Sequence, residues 1–510
     1  MYNSAVCLLD EACRKYPDKT AVIDENGKIT FLQLKEKAMR VASYLEKEKN
    51  ASRAPVVVYM KKSIDCIVSF MAVLYSGRAY VPVAGDMPFE RVRKITDNLN
   101  PSFIIADSQR LEILNQNGAA NNAVLFETAA GFESDEEKIK NIQQKVIDTD
   151  PIYIMYTSGS TGDPKGVTVS HKGVIDYVTW TKATFGFNEN DIFGNQAPFY
   201  FDNSIFDIYG CLITGATMVI IPEVLFNFQN KLPEYVEEMK ITVIFWVPTI
   251  LINVANAGAL DECRMTHLKK VLFCGEVMPN TQLNIWREHY PDLMYANLYG
   301  PTEITDVCTY YIVDREFENS EPLPIGRACK NMRTYIITES GKLAKTNETG
   351  ELCIAGTGVA LGYYNNKEIT DKAFIQNPFN PYYSERLYRT GDLAYENEEG
   401  LLMYVGRMDS QIKINGNRVE LGEIENAAMC IEGVSRACAA LDSNKNAIAL
   451  FIEAAGEYKL RHVNNELKKH IPKYMLPGEL FVLEKFPHTS NDKIDRVSLK
   501  KLLCGKDGEK

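Results

Sequence analysis

The chain has 510 residues, 45% of them hydrophobic and 24% charged. That is enough to bury more than one core, because single cores stop growing at roughly 250–300 residues. A net charge of −11 excludes a densely cationic surface, and with it nonspecific binding to nucleic acid or acidic membranes. Twelve cysteines are scattered, with no CxxC and no Cys/His cluster at metal-ligand spacing, so reduced core residues are expected.

The opening residues contain one short apolar run, Ala5–Leu9, which Asp10 ends, and no basic leader precedes it. No signal peptide is expected. Nowhere do about 18 apolar residues run together, so no membrane insertion is expected and the protein is predicted to be cytoplasmic, with soluble partners. Leu34, Ala38, Val41 and Leu45 recur at helical spacing, and Val56–Tyr59 reads as a buried strand. Helix Ile64–Tyr75, strand Tyr80–Val83, helix Phe89–Leu99 and strand Phe103–Ala106 follow. This alternation predicts an α/β fold with parallel sheets. Residues 115–145 are rich in Asn, Gly, Glu and Lys without a clean period, and are expected to be a solvated excursion.

The core resumes at Ile152. Two apolar runs, Val243–Val247 and Val271–Phe273, read as strands ending in Pro248 and Gly275, and ligands of open α/β sheets bind beyond such ends. From Gly350 short β segments alternate with charged turns. After Gly406 comes a compact α+β unit, with helical spacing in Leu421, Ile424, Ala428, Ile431 and in Leu460, Val463, Leu467, Ile471. A boundary near Met408 is expected, giving domains 1–408 and 409–510.

The strongest local signal is YTSGSTGDPKGV, Tyr156 to Val167. Glycines let backbone N–H groups face one concavity, hydroxyls add donors, and Lys165 brings a mobile positive charge, which together suit a polyphosphate. GKS/T is absent and the loop lies between apparent strands rather than opening a helix, so it is not a Walker loop. A mobile Gly/Ser hairpin is the plainer alternative. The full string resembles the phosphate loop of the adenylate-forming superfamily, which includes amino-acid-activating domains, acyl-CoA synthetases and luciferases. Further strings extend the resemblance in order: ITFLQL (Ile29–Leu34), NLYGPTE (Asn297–Glu303), GELCIAG (Gly350–Gly356), YRTGDL (Tyr388–Leu393), GRMDSQIKINGNRVELGEIE (Gly406–Glu425) and NDKIDR (Asn491–Arg496).

The resemblance implies a large N-terminal domain of two flavodoxin-like lobes plus a β-barrel-like subdomain, and a small mobile α+β lid hinged at Asp409. It implies ATP as substrate with Mg²⁺. Thr157, Ser158, Gly159, Ser160, Thr161, Gly162 and Lys165 would hold phosphates, Tyr299 would offer a face to adenine, Asn297 and Gly300 would also bind ATP, and Asp392 and Arg407 would hold the ribose end. Thr302 would reach the α-phosphate and the substrate carboxylate. Glu303 offers a hard oxygen for the metal, and Lys493 would be the catalytic lysine, bridging attacking carboxylate and α-phosphate. Asp492 departs from the family pattern, where glycine is usual. Gly416 would line a pantetheine tunnel, with a simple turn glycine as the alternative. Taken singly, each of these residues has an ordinary structural explanation.

At the substrate end, NQAPFYFDNSIFDIYGCL (Asn195–Leu212) resembles the family's substrate-pocket helix, and places Asp202 where amino-acid-activating members bind the α-ammonium. Asp202 as a mere helix N-cap is the alternative. NQAPF, the FD pair and LFCGEVMP (Leu272–Pro279) resemble D-alanine–carrier protein ligases, and Cys274 matches the cysteine such enzymes use to favour the D enantiomer. The remaining implied pocket positions are Asn203, Phe206, Phe245, Leu272, Leu298, Asp306 and Val307. Several depart from that subgroup, Asp306 most, since a buried carboxylate wants a cationic or hydroxylated partner. The implied activity is activation of an amino acid, D-alanine or another amino acid of a peptide-synthetase pathway, to aminoacyl-AMP. Transfer to the phosphopantetheine thiol of a carrier protein would follow, and the absence of a carrier domain after residue 510 fits a stand-alone enzyme. Two other classes remain open: an acyl- or aryl-CoA ligase, and a non-catalytic nucleotide-binding protein.

Overall fold

The structure is a computed structural model that describes residues 2–47, 53–158, 163–408, 411–442, 445–487, 494 and 496–504. The chain forms two compact units, one made of residues 1–86, 98–156 and 166–408, the other of 87–97, 157–165 and 409–510.

Among the described residues of the first unit, a nine-stranded sheet has a parallel core of six strands: Met294–Tyr299, Lys270–Cys274, Val243–Trp246, Ile192–Asn195, Thr217–Ile220 and Thr20–Asp24, in that spatial order. Because these strands are parallel, their carboxyl ends lie along one edge. The chain leaves Ile192–Asn195 for Thr217–Ile220 on one side and returns as Val243–Trp246 on the other. Strand order therefore reverses about Ile192–Asn195, the position at which open α/β sheets bind ligands beyond their carboxyl ends. Asp202 follows that strand, at the start of helix Asn203–Thr214. A second, seven-stranded sheet is parallel through Ala123–Leu125, Phe103–Ala106, Val56–Met60, Tyr80–Ala84 and Pro151–Thr157. One apolar core joins residues of both large sheets, and a second covers the opposite face of the nine-stranded sheet. An antiparallel five-stranded sheet carries Gly350–Gly356, Arg386–Glu396 and Leu402–Arg407. Fold class and element order agree with the sequence expectation.

One segment differs. Residues 115–145 are mostly exposed or half-buried, as a solvated excursion implies, but they carry regular structure: strand Ala123–Leu125 and helices Phe126–Ala130 and Glu136–Gln143. The elements are short and anchored by few apolar residues, among them Phe126, Ala129 and Ile139, too few to make a visible period.

The second unit has its own cores. Hairpin Gln411–Ile414/Asn417–Glu420 leads into helix Leu421–Ala428, and strands Val434–Asp442, Ala447–Ala454 and Glu479–Leu483 form a three-stranded sheet. The hairpin turns through Asn415 and Gly416, both at positive φ (50° and 75°), as a two-residue Asn-Gly turn requires.

After strand Met294–Tyr299 the backbone makes a 3₁₀ turn, Thr302–Ile304, followed by two non-glycine residues in the left-handed region, Thr305 (φ 64°) and Asp306 (φ 71°). Val307 N–H donates to the Thr305 carbonyl at 3.0 Å, closing the rare γ-turn with positive φ at Asp306. The turn lies against Gly300, where a Cβ would collide with the Asp306 carbonyl oxygen and come within 2.7 Å of Ile304 Cδ1. Only glycine permits this approach. Gly300→Ala should lower stability by roughly 1–3 kcal/mol, the usual cost of overpacking, and a variant that melts with the wild type would contradict it.

Candidate active site

Along the carboxyl edge of the nine-stranded sheet, register decides which implied pocket residues can meet. Phe245 lies opposite Leu272 and Cys274 opposite Leu298 in neighbouring parallel strands, so these four share one face. All four are buried in the core that also holds Phe206 and Val307. Phe206 packs its ring 4.5 Å from that of Phe245. Ile244, Trp246, Val271 and Phe273 point to the opposite face and into the other core. Asn297 belongs to that opposite face by alternation, and its amide donates to the Pro324 carbonyl at 2.8 Å.

Buried acids are set into this apolar surround. Asp202 is 8% exposed and occupies the N-cap position of helix Asn203–Thr214, yet its side chain makes no cap hydrogen bond. Asn203 Nδ2, just after it, is buried without a hydrogen-bond partner. Asp306 is 1% exposed and accepts a hydrogen bond from the Tyr177 hydroxyl, 2.6 Å from Oδ2. Glu303 is fully buried and accepts from the Tyr363 hydroxyl, 2.7 Å from Oε1. Asp392 accepts from the Tyr299 hydroxyl at Oδ2 and from Arg407 Nη1, 2.7 Å from Oδ1. Burial, reinforced by the Asp392 charge, pushes the Tyr299 phenol well above its ordinary range, so it remains a donor. Each of these three acids thus has a tyrosine hydroxyl among its donors, and a phenol donates without bringing a positive charge. Tyr177 and Tyr363 were not recognised in the sequence, since they lie 129 and 60 residues from their partners.

A buried carboxylate already oriented by a phenol suits a hard cation that draws its remaining oxygens from water and phosphate, so Glu303 fits Mg²⁺. Among the described residues no group of three or more His, Cys, Asp or Glu side chains could hold a metal by itself. In the second unit, Thr157 and Ser158 are buried, and the Ser158 hydroxyl donates to the Arg418 carbonyl at 3.1 Å. Lys165 opens strand Lys165–Ser170 and is half-buried. Gly159, Ser160, Thr161, Gly162, Asp409 and Lys493 lie outside the described residues.

Residues 9–364 match the family described as AMP-binding enzyme. The chain belongs to that family. Among its relatives, the D-alanine–D-alanyl carrier protein ligase of Bacillus cytotoxicus is 33% identical, over 95% of this chain and 96% of the relative. Tyrocidine synthase 1 of Brevibacillus parabrevis is 31% identical over 96% of this chain, which spans only 44% of that synthase. In fold, the AMP-binding chain superposes on the Vibrio cholerae adenylation domain AlmE, solved with glycyl-adenosine-5'-phosphate. The TM-score is 0.83, at 22% identity, covering 99% of this chain and 98% of that one. No helix among the described residues is long and apolar enough to cross a membrane.

The helix that carries Asp202 is tied to the sheet by a second acid. Asp207 is buried and accepts a hydrogen bond from Asn195 Nδ2, 2.8 Å from Oδ2. Burial pushes its carboxyl from 3.8 up to about 7, although the Asn195 bond and the Lys62 charge act in the other direction. Asn195 Oδ1 and Asp207 Oδ1 are both buried without a hydrogen-bond partner, and a retained proton supplies a donor that they lack. The folded carboxyl therefore stays protonated between pH 3.8 and about 7, where the unfolded one is ionised. Stability is lost as pH rises through that window and levels off above it. Asp207→Asn keeps a donor and removes the titration. Its melting temperature, relative to wild type, should be higher near pH 8 than near pH 4, and an equal offset at both would contradict this.

Proposed function

We propose that the protein activates an amino acid with ATP, forming aminoacyl-AMP and releasing pyrophosphate, and then passes the acyl group to the phosphopantetheine thiol of a carrier protein. The observation that carries this reading is Asp202, a buried carboxylate at a topological switch point that is not spent on capping its helix. An acyl-CoA ligase has no use for a buried charge beside its acyl chain, because such a charge is costly unless paired. An acid at that position suits an α-ammonium.

In this reading Asp392, steadied by Arg407 and Tyr299, accepts from the ribose hydroxyls. Thr302 and Lys493 hold the substrate carboxylate against the α-phosphate, where two anions must approach and a cation offsets their repulsion. Glu303 would hold Mg²⁺, which when bound would supply positive charge to offset that of the phosphates. Lys165 and the loop before it hold the outgoing pyrophosphate. The lid of residues 409–510 rotates about Asp409 between adenylation and transfer. Gly416 would border the path of the pantetheine arm, although its positive φ makes any side chain there strained whatever passes over it.

The choice of amino acid has support in two directions. Likeness to a D-alanine ligase over nearly the whole length of both chains, together with Cys274 on the pocket face, supports D-alanine. Asp306 supports a side chain with a polar end.

Pyrophosphate release should depend on an amino acid, and Asp202→Ala should reduce it about ten- to a hundredfold, the worth of one charge-assisted pairing. Undiminished release, or preference for a fatty acid, would overturn the assignment. Cys274→Ala should raise the rate with the L form relative to the D form of a small amino acid, and an unchanged ratio would remove Cys274 from enantiomer choice. The acceptor is read by offering a phosphopantetheinylated carrier protein and free coenzyme A side by side, with thioester expected on the carrier.

A further inference from the structure

The seven-stranded sheet has a switch point of its own. From Val56–Met60 the chain passes to Tyr80–Ala84 on one side and then to Phe103–Ala106 on the other, so strand order reverses about Val56–Met60, and ligands of open α/β sheets bind beyond the carboxyl end of such a strand. A cavity of about 610 Å³ opens there, lined by Met60, Lys61, Lys62 and Ser63 and, at the ends of neighbouring strands, by Asp24 and Asp107. None of the implied substrate-pocket residues lines it. Its lysines are not alike. Lys37 pairs with Asp65 at 2.7 Å and Lys61 with Glu25 at 3.3 Å, whereas the contacts of half-buried Lys62 among the described residues are neutral. Its Nζ donates to the Gln196 carbonyl at 3.1 Å and lies 5.3 Å from the centre of the Phe199 ring. An ammonium taken from water without a carboxylate in ion-pair contact is costly, and burial pushes Lys62 from 10.5 down to about 8, although the charges of Glu223 and Asp207 act in the other direction. A lysine in that range is a nucleophile near neutral pH. Gln196 follows strand Ile192–Asn195 and begins the segment that leads to Asp202, and its Oε1 accepts from the Val247 N–H at 3.4 Å. Lys62 therefore ties the end of one large sheet to the segment of the other that carries Asp202.

We propose that Lys62 is an acylation site, taking the acyl group of a small thioester that enters this cavity, and that acylation loosens the segment leading to Asp202 and weakens binding of the amino acid there. The second half rests on the amino-acid reading of the preceding section; the first does not. The neutral amine attacks the thioester carbonyl carbon, a C–N bond forms, the C–S bond breaks with its electron pair left on sulfur, and the amine's proton passes to the departing thiolate. The amide formed carries no charge, so the hold on the Gln196 carbonyl and on the Phe199 ring is weakened. Among the described residues six acids and four lysines line the cavity, an excess of negative charge that favours an acyl group bearing an ammonium, such as an aminoacyl group, over a dicarboxylic one such as succinyl.

The test exposes the wild type at pH 8, without ATP, to the N-acetylcysteamine thioesters of glycine, acetate and succinate, and maps acylated lysines over time by peptide mass spectrometry. Lys62 should be acylated about tenfold faster than exposed lysines such as Lys172 and Lys330, because about half of its amine is then neutral against under about 1% of an ordinary lysine, a gain that its lower basicity partly offsets. The glycyl thioester should lead and the succinyl thioester trail. Labelling of Lys62 no faster than of the exposed lysines would overturn the acylation site, and a lead for succinyl would overturn the acyl class. The coupling is read from pyrophosphate release as amino acid is varied, with folding checked by circular dichroism and melting. Lys62→Met, which keeps the length of the side chain and removes its donor and charge, and the acylated wild type should both show KM for the amino acid raised about three- to tenfold with kcat retained, while Lys62→Arg should match the unmodified wild type. An unchanged KM in the acylated wild type would overturn the coupling. If no amino acid releases pyrophosphate while fatty or aryl acids do, the activation reading and the coupling fall together, and preferential labelling of Lys62 still supports the site.

Discussion

A carboxylate taken out of water must be met by donors, and in three places here a phenol is one of them: Tyr363 to Glu303, Tyr177 to Asp306 and Tyr299 to Asp392. The choice has a consequence. An arginine or lysine in the phenol's place would bring a positive charge, whereas a phenol orients one oxygen without adding one. Such a group is stable enough to fold and still attracts a cation or a donor, which are the requirements of a site for an ammonium, a metal ion or a ribose. Asp392 is the partial exception, since Arg407 also holds it; that acid is read as receiving neutral ribose hydroxyls, for which retained charge matters less.

These acids sit where they do because parallel strands end together. Strands Ile192–Asn195, Val243–Trp246, Lys270–Cys274 and Met294–Tyr299 bring their carboxyl ends to one edge, and the segments that follow supply Asp202 and the stretch from Gly300 to Asp306. The face given to the pocket is set by register: Phe245, Leu272, Cys274 and Leu298 fall together, and Asn297 does not. Gly300 lets the Asp306 turn close over the end of its own strand. The apolar surround raises the cost of each charge, and it also strengthens whatever interaction finally satisfies it.

Much of this was legible in the sequence, and the boundary between what was and was not has a physical cause. Strands and helices long enough to show a period were read correctly. The short elements between residues 115 and 145 were missed, because a helix of five or eight residues anchored by one or two apolar side chains shows no period. The phenol partners were missed for a different reason. Nothing near Asp306 in sequence marks Tyr177, and the contact exists only once helix His171–Phe185 packs against the sheet. Left-handed backbone at Thr305 and Asp306 left no sequence mark either, since neither residue is the glycine or asparagine that usually announces it. The helix-cap explanation of Asp202, reasonable from residue type alone, lost its ground when its side chain was found to make no cap hydrogen bond.

The central claim is that the substrate carboxylate attacks the α-phosphorus of ATP. Amino acid labelled with oxygen-18 in its carboxylate tests it directly, read by mass spectrometry of the nucleotide after transfer to a thiol. The account predicts one labelled oxygen in AMP and none in pyrophosphate. Label in inorganic phosphate, with ADP as the nucleotide product, would mean attack at the γ-phosphorus and would contradict it.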